Sequence, residues 1–174
     1  MAGSFAKIKN KTVDLSAFPV CSNDCIFCSN RPIEIKKISF RHISDFLKKA
    51  AEQGAENLEL SAMEPTLYPR LEALIKDAHR YGFSQIHLVT NGHMIADHKY
   101  LFMVVRAGIN KITVSLHSAK KTDEADICNS FLAFDRKIQA INNIVALQKK
   151  MPLDLYINTT LNKKNYKHIR DIVI

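Results

Sequence analysis

Residues 57–92 read NLELSAMEPTLYPRLEALIKDAHRYGFSQIHLVTNG, a short apolar run, a helical pattern and a second short apolar run. The runs Asn57–Ser61 and Gln85–Thr90 have the length and composition of buried strands. Between them, Pro69 precedes a segment that Gly82 ends, and its apolar residues share one helical face: Leu71, Leu74, Ile75 and Ala78. Two strands joined through a helix are typical of a parallel pair.

The same alternation extends to both sides of this unit. An extended segment near Thr12–Val20 precedes it, followed by a helix that Ser39 caps and Gly54 ends, with apolar positions Ile43, Phe46, Leu47, Ala50 and Ala51. The later predicted elements are a helix at roughly Lys99–Ala107, a strand at Lys111–His117, a polar loop through Lys120–Asn129, a helix with apolar positions Phe134, Ile138, Ile141 and Val145, a strand at Leu153–Thr159 and a last helix from about Asn165 or Tyr166. Strands alternating with helices predict a single α/β domain over residues 1–174, built on a parallel sheet.

Composition limits the class of protein. The chain has 174 residues, 47% of them hydrophobic and 24% charged, which excludes a disordered or low-complexity chain. No run approaches the about 18 apolar residues that a membrane span needs, and the N-terminal sequence lacks the apolar core of a signal peptide. We therefore expect a cytoplasmic protein without a membrane partner. The formal charge of +8 permits an anionic partner, but its lysines are spread over many segments, as on solvated faces.

The cysteines indicate a metal site. Cys21, Cys25 and Cys28 follow the first strand with the spacing C-x3-C-x2-C, and Cys128 comes 100 residues after Cys28. Thiols crowded in a reducing compartment are more often metal ligands than a disulfide framework. Three local thiolates suit a four-iron cluster with one iron open to a non-protein ligand. The alternative is a zinc site that His42 or Cys128 completes. Otherwise Cys128 is expected to be an incidental thiol.

Polar residues follow each later strand at its carboxyl end. They are Glu64, Thr90 with Asn91, Ser115 with His117, and Asn158 with Thr160. In barrels and open α/β sheets the functional loops converge at this edge, so these side chains and the cysteines are expected to share one site.

Five segments together resemble the radical S-adenosylmethionine (SAM) enzymes. They are the cysteine loop Cys21–Cys28 with Phe27 before its last cysteine, Ser61–Leu67 in the place of the family's Gly-Gly-Glu-Pro segment, Leu88–Gly92, Val114–Ser118, and the helix with Phe134–Arg136 and Asn142–Ile144. The resemblance extends from about Val13 to Lys167. It implies a partial (β/α) barrel of parallel strands, with about five βα units visible.

The resemblance also implies a chemistry and roles for individual residues. The three thiolates would hold a [4Fe–4S] cluster, and SAM would chelate the fourth iron and be cleaved reductively to a 5′-deoxyadenosyl radical that abstracts hydrogen from a substrate. The residues that would contact SAM are Glu64 and the backbone of Ala62 and Met63 at the methionyl amine, Ser115 at the carboxylate or ribose, Asn158 at the ribose and Phe27 at the adenine. Thr90, Asn91 and His117 would contact it as well. The alternative for His117 is a contact with the substrate, and the alternative for Thr90 and Asn91 is that they form only the turn before Gly92.

Two features depart from the family pattern. Ala62 and Met63 stand where the family has paired glycines, which let the backbone approach the cofactor closely. The family core has six parallel strands, and only five are counted here. We therefore expect a core domain incomplete at its C-terminus, whose open barrel edge a missing segment or a partner chain covers.

The expected partners follow from the resemblance: a reductant such as flavodoxin or ferredoxin, and a substrate that is a peptide, a nucleoside or RNA, or a small molecule. The Ser-Leu-His-Ser segment at Ser115–Ser118 favours a peptide. The alternatives are a zinc or iron–sulfur regulatory module without radical chemistry, and an inactive remnant of the family.

Overall fold

The computed structural model describes residues 6–29 and 38–172. Along the chain, the elements of these residues are β1 (Ala6–Lys9), β2 (Thr12–Leu15), α1 (Phe40–Glu52), β3 (Asn57–Leu60), α2 (Leu71–Tyr81), β4 (Gln85–Thr90), α3 (His98–Ala107), β5 (Lys111–Ser115), α4 (Lys121–Cys128), α5 (Ala133–Gln148) and β6 (Asp154–Asn158), with 3₁₀ turns at Pro65–Leu67 and Tyr166–Ile172.

A single sheet carries the fold, with its strands in chain order from β1 to β6. Strands β2 to β6 are parallel, which confirms the predicted α/β class and its five parallel strands. The sheet is not closed, consistent with a partial barrel. Strand β1 was not predicted from the sequence. It pairs antiparallel with β2 through a tight turn at Asn10 and Lys11. Both turn residues have positive φ, as the favoured two-residue hairpin turn requires.

Strands β2, β3 and β4 alternate between buried and half-buried residues. In β4, Ile86, Leu88 and Thr90 are buried, whereas the alternate residues His87 and Val89 are half-buried on the opposite side of the strand. The buried strand residues join the apolar faces of α1, α2, α3 and α5 in one core. Parallel strands covered by helices leave their carboxyl ends, and the loops that follow them, for the site.

The predicted helix ends are confirmed at both α1 and α2. Ser39 caps α1, since its hydroxyl accepts a hydrogen bond from the His42 backbone N–H at 3.2 Å. Gly82 ends α2 in the left-handed conformation.

Two predictions near the end of the chain were wrong. The stretch Lys120–Asn129, predicted as a polar loop, contains α4. The prediction fails because Glu124 is buried, whereas a hydropathy pattern treats a carboxylate as a surface residue. Helix α5 buries a different face from the one predicted, consisting of Ala133, Lys137, Ala140, Ile144 and Leu147. Val145, predicted on the apolar face, is 45% exposed. Both predictions fail at the same ion pair, because Lys137 of α5 and Glu124 of α4 are buried together although each has a charged side chain.

The last predicted helix is a kinked 3₁₀ segment, Tyr166–Ile172. Among the helices of the described residues, none has the length and apolar character needed to cross a membrane.

Asn110 links the starts of three parallel strands. Its side-chain Oδ1 accepts a hydrogen bond from the Ile86 N–H at 3.0 Å, and its Nδ2 donates to the Ser84 carbonyl at 2.8 Å. Its backbone N–H donates to the Ile86 carbonyl, and its own carbonyl accepts from the Asp154 N–H. At the end of the sheet opposite the site, the Asn110 carboxamide thus binds the start of β4, and the Asn110 backbone bonds to β4 and β6.

We predict that Asn110→Ala lowers the free energy of unfolding by about 1–3 kcal/mol, because the buried Ile86 N–H loses its acceptor. Chemical denaturation measures this change. The control is Asn142→Ala on the exposed side of α5, where alanine also favours the helix and the free energy should stay level or rise. An equal loss in both variants would contradict the role given to Asn110.

Candidate functional site

One cavity collects the predicted site residues at the carboxyl ends of β3 to β6. Its wall contains the three cysteines of the loop together with Phe27, Ala62, Met63, Thr90, Asn91, Ser115, His117 and Asn158. These residues come from segments spread over more than 130 positions, and the parallel sheet brings them together. Of the residues predicted for the site, Glu64 alone is absent from this wall.

The cysteine loop is fixed to the end of α4 by backbone hydrogen bonds. The Asp24 N–H donates to the Cys128 carbonyl at 3.2 Å, and the Ile26 N–H donates to the Ile127 carbonyl at 3.0 Å. Within the loop, the Cys28 N–H donates to the Cys25 carbonyl, which turns the chain so that Cys28 also lines the cavity. These contacts hold the loop in place through the protein's own backbone.

The three loop thiols are free and half-buried. Burial raises the pKa of Cys21 above its ordinary value. The pKa of Cys25 is instead lowered, chiefly through its hydrogen bond with Cys128 and secondarily through the charge of Lys137. Since the thiolate is the form that binds metals, the surroundings of Cys25 favour ligation.

Glu64 lies behind the cavity wall, completely buried. Its Oε1 accepts hydrogen bonds from the Thr66 N–H, the Thr66 hydroxyl and the Thr90 hydroxyl, and its Oε2 accepts one from the Asn91 N–H at 2.6 Å. Burial raises the pKa of this carboxyl, against the lowering effect of its donors. Glu64 thus contacts Thr66, Thr90 and Asn91 and does not line the cavity, and its contact with SAM stays a prediction.

Asn91 connects this carboxylate to the cysteine loop. Its Nδ2 donates to the Ser22 hydroxyl at 2.9 Å and lies 3.6 Å from the Cys21 Sγ, while its Oδ1 accepts from the His93 N–H. The turn after β4 therefore helps to set the position of the first loop cysteine, and Asn91 does more than form a turn.

Ala62 and Met63 keep a backbone conformation that glycine usually supplies. Their φ angles are +62° and +47°, both in the left-handed region. Each such non-glycine residue costs on the order of 1–3 kcal/mol and persists where the surrounding structure enforces it, often at functional sites. Ala62 and Met63 therefore hold a conformation that favours glycine beside the cavity, at a local cost in strain.

We predict that Ala62→Gly leaves the free energy of unfolding unchanged or raises it by up to about 1 kcal/mol, because glycine adopts positive φ without strain. Urea denaturation is the measurement. Ala146→Gly, on the exposed side of α5, is the control and should lower the same quantity by about 1 kcal/mol. A loss at Ala62 as large as that at Ala146 would show that this backbone is not strained.

His117 forms the far wall of the cavity and is almost completely buried. Its ring packs edge-on against Phe27, with 4.7 Å between ring centroids, and its Nδ1 accepts a hydrogen bond from the Thr160 N–H at 3.2 Å. Burial lowers the pKa of His117 to about 4. A neutral imidazole that accepts at Nδ1 carries its proton at Nε2, so this ring is a hydrogen-bond donor at Nε2.

This depressed pKa predicts a pH dependence of stability. Between its ordinary value of 6.5 and about 4, the unfolded chain binds a proton that folded His117 does not, so the free energy of unfolding falls as the pH falls. The contribution is on the order of 3 kcal/mol, since one pKa unit corresponds to about 1.4 kcal/mol. We expect His117→Gln to show a smaller loss from pH 7 to pH 4 than the wild type in denaturation curves. The exposed His98→Gln control should keep the wild-type dependence, and a wild-type dependence in His117→Gln would contradict the assignment.

Three residues of the wall were not predicted for the site: Asn23, Val89 and Lys137. Lys137 and its partner Glu124 are both completely buried, and their ion pair joins α5 to α4. Lys137 Nζ also donates to the Cys128 Sγ at 3.1 Å. A lysine at a helical position between apolar residues was the available signal in the sequence. Cys128, expected to be incidental, belongs to this network and contacts Cys25.

His117, Glu124 and Cys128 offer ligand atoms within 4.8 Å of one another, a spacing that could suit a metal ion. The Lys137 ammonium donates to two of these three groups, and the second oxygen of Glu124 accepts from the His117 and Ser118 N–H groups. The Lys137 ammonium thus supplies the positive charge that a metal ion would bring to these groups. We therefore interpret the three residues as part of an ionic network with Lys137.

The Asn23 side chain supports a polar ligand in the cavity. Neither its Oδ1 nor its Nδ2 has a hydrogen-bond partner among the described residues, although both atoms are buried. Buried polar atoms are nearly always satisfied, so the unpaired carboxamide points to a group that a ligand supplies. Three free thiols beside an unpaired amide fit a thiolate-held cluster together with a polar cofactor.

A family model described as the radical SAM superfamily matches residues 15–173. Among curated proteins, a probable GTP 3′,8-cyclase from Saccharolobus islandicus (strain M.14.25 / Kamchatka #1) is 28% identical over 152 residues, which cover 86% of this chain and 47% of that protein. A probable GTP 3′,8-cyclase from Sulfurisphaera tokodaii is 28% identical over 156 residues, covering 88% and 48%. The chain spans about half the length of these relatives.

Solved structures are similar in fold. Native anSMEcpe with bound AdoMet gives a TM-score of 0.72 at 15% identity, covering 91% of this chain and 46% of that one. SuiB from Streptococcus suis gives a TM-score of 0.73 at 17% identity, covering 90% and 35%. At these identities the likeness concerns the fold alone.

Proposed function

The chain belongs to the radical SAM superfamily, and from that premise we propose that residues 1–174 form a core domain in which Cys21, Cys25 and Cys28 hold a [4Fe–4S] cluster and the adjoining cavity holds SAM. The observation that carries the proposal is the convergence of three free thiols with the ends of four parallel strands on one cavity. When bound, the cluster and SAM supply a 5′-deoxyadenosyl radical, which removes a hydrogen atom from a substrate.

The protein's own residues bind and orient in this proposal. Cys21, Cys25 and Cys28 would hold the cluster, and the left-handed backbone at Ala62 and Met63 would contact the methionyl amine of SAM. Ser115 and Asn158, which are register partners on β5 and β6, contact the carboxylate and ribose. Phe27 contacts the adenine. Glu64 acts indirectly, by fixing the positions of Thr90 and Asn91.

His117 contributes a fixed donor. Its Nδ1 is occupied by the Thr160 N–H, so the Nε2–H donates to SAM or to the substrate. Because burial keeps the pKa of His117 near 4, the ring stays neutral across the physiological range. The position therefore supplies a hydrogen bond without adding a positive charge beside a sulfonium cofactor.

For the substrate we propose a peptide, on the Ser-Leu-His-Ser segment at Ser115–Ser118. The second candidate is a guanine nucleotide, favoured by the 28% identity to proteins named GTP 3′,8-cyclases.

A reductant such as flavodoxin or ferredoxin delivers the electron. The exposed side chains of Tyr156 and Ile157 on the edge strand β6 support a further segment or a partner chain on this side of the sheet.

We predict that anaerobically reconstituted protein binds four irons and, with dithionite and SAM, forms 5′-deoxyadenosine, measured by chromatography. Cys25→Ala should lose the cluster and at least about 100-fold of this product, because removing a residue that merely supports a metal ligand commonly costs about 10–100-fold and Cys25 is a proposed ligand itself. Adding GTP or a peptide library tests the two substrate candidates through substrate-dependent product.

Cys128→Ser is the matched control, since Cys128 lies against Cys25 but outside the proposed ligand set. It should retain the iron. Loss of metal in both variants, with zinc bound by the wild type, would support the zinc module instead. A four-iron cluster without 5′-deoxyadenosine would support an inactive remnant of the family.

A further inference from the structure

Lys137 is a completely buried cation that lines the cysteine cavity. It comes from the buried face of α5, between Ala133 and Ala140, where an apolar residue would fit the helix pattern. Burial alone would lower its pKa, but the neighbouring Cys128 and Glu124 outweigh this effect and the pKa is raised. The side chain is therefore a permanent positive charge in a desolvated place.

The partner of Lys137, Glu124, does not line the cavity. Glu124 Oε1 accepts from the Lys137 ammonium, and Glu124 Oε2 accepts from the N–H groups of His117 at 2.8 Å and Ser118 at 2.6 Å. Lys137 belongs to the cavity wall, and Glu124 does not. The pair is thus an oriented dipole whose positive end faces the cavity.

Stability does not explain why such a pair is kept. Exchanging a buried ion pair for well-packed apolar residues is often neutral or stabilising, because desolvation offsets the attraction between the charges. The Cys128 Sγ lies 3.1 Å from Lys137 Nζ and 3.3 Å from Glu124 Oε1, and Cys25 packs against the small cluster that contains Cys128. Both charges therefore lie near a proposed cluster ligand, and Lys137, unlike Glu124, also lines the cavity. The arrangement therefore favours an electrostatic role at the cluster.

We propose that Lys137 is a positioning residue that raises the reduction potential of the [4Fe–4S] cluster, with Glu124 moderating its charge. The inference rests on the proposed function. Reduction adds one electron to the cluster, and a fixed positive charge nearby stabilises the reduced form more than the oxidised form. The low dielectric of the buried site strengthens this effect.

The test is an anaerobic redox titration of the reconstituted cluster without SAM, followed by the electron paramagnetic resonance signal of its reduced form. Lys137→Met should shift the midpoint potential to lower values. Glu124→Gln, which leaves the ammonium uncompensated, should shift it to higher values. A purely structural role would disturb the loop in both variants and would not give shifts of opposite sign.

The matched control is Lys121→Met. Lys121 pairs with Asp135, so this exposed ion pair also joins α4 to α5, and its loss should leave the midpoint potential unchanged. The double variant Glu124→Gln with Lys137→Met avoids an unpaired buried charge. It should fold and show a potential below the wild type, because the positive end lies nearer the cluster. Circular dichroism verifies the fold of each variant.

Shifts of the same sign in the two single variants, or a double variant with the wild-type potential, would overturn the inference while leaving the proposed function intact. A wild-type protein that takes up no four-iron cluster would overturn both. Opposite shifts with an unchanged Lys121→Met control would establish the role of Lys137.

Discussion

The buried carboxylate of Glu64 accepts hydrogen bonds from two different strand ends, and the geometry of the cavity follows from this interaction. Thr66 after β3 and Thr90 with Asn91 after β4 turn their donors toward it. Asn91 can then reach Ser22 and Cys21 with its carboxamide. A charge that must be satisfied in the interior thus fixes two loops relative to each other, and through them the first cysteine.

The alternation of strands and helices was predictable because each element has a clear local signal. The runs at Asn57–Leu60 and Gln85–Thr90 are apolar and short, and Gly82 marks a helix end that the structure confirms. The convergence of strand-end residues was also predictable, since a parallel sheet places all carboxyl ends at one edge. What the sequence left open was the depth at which each side chain lies, as the position of Glu64 shows.

The missed features share one physical cause. Helix α4 and the buried face of α5 depend on Glu124 and Lys137, two charges that satisfy each other inside the protein. Hydropathy treats each of them as a surface residue, because their pairing is visible only after folding. The left-handed Ala62 and Met63 are similar, since tertiary contacts impose a conformation that their own side chains disfavour. Sequence patterns therefore miss these features, because contacts between residues far apart in the chain determine them.

The backbone hydrogen bonds from Asp24 to Cys128 and from Ile26 to Ile127 also affect the order of events during biosynthesis. The donors and acceptors lie more than 100 residues apart in the chain. During translation the three loop thiols leave the ribosome long before the helix that supports them has been made. Until α4 has folded, these thiols are attached to the chain but have no fixed arrangement. Loading of the proposed cluster would accordingly follow the synthesis of the chain through Cys128, and the three thiols must stay reduced until then.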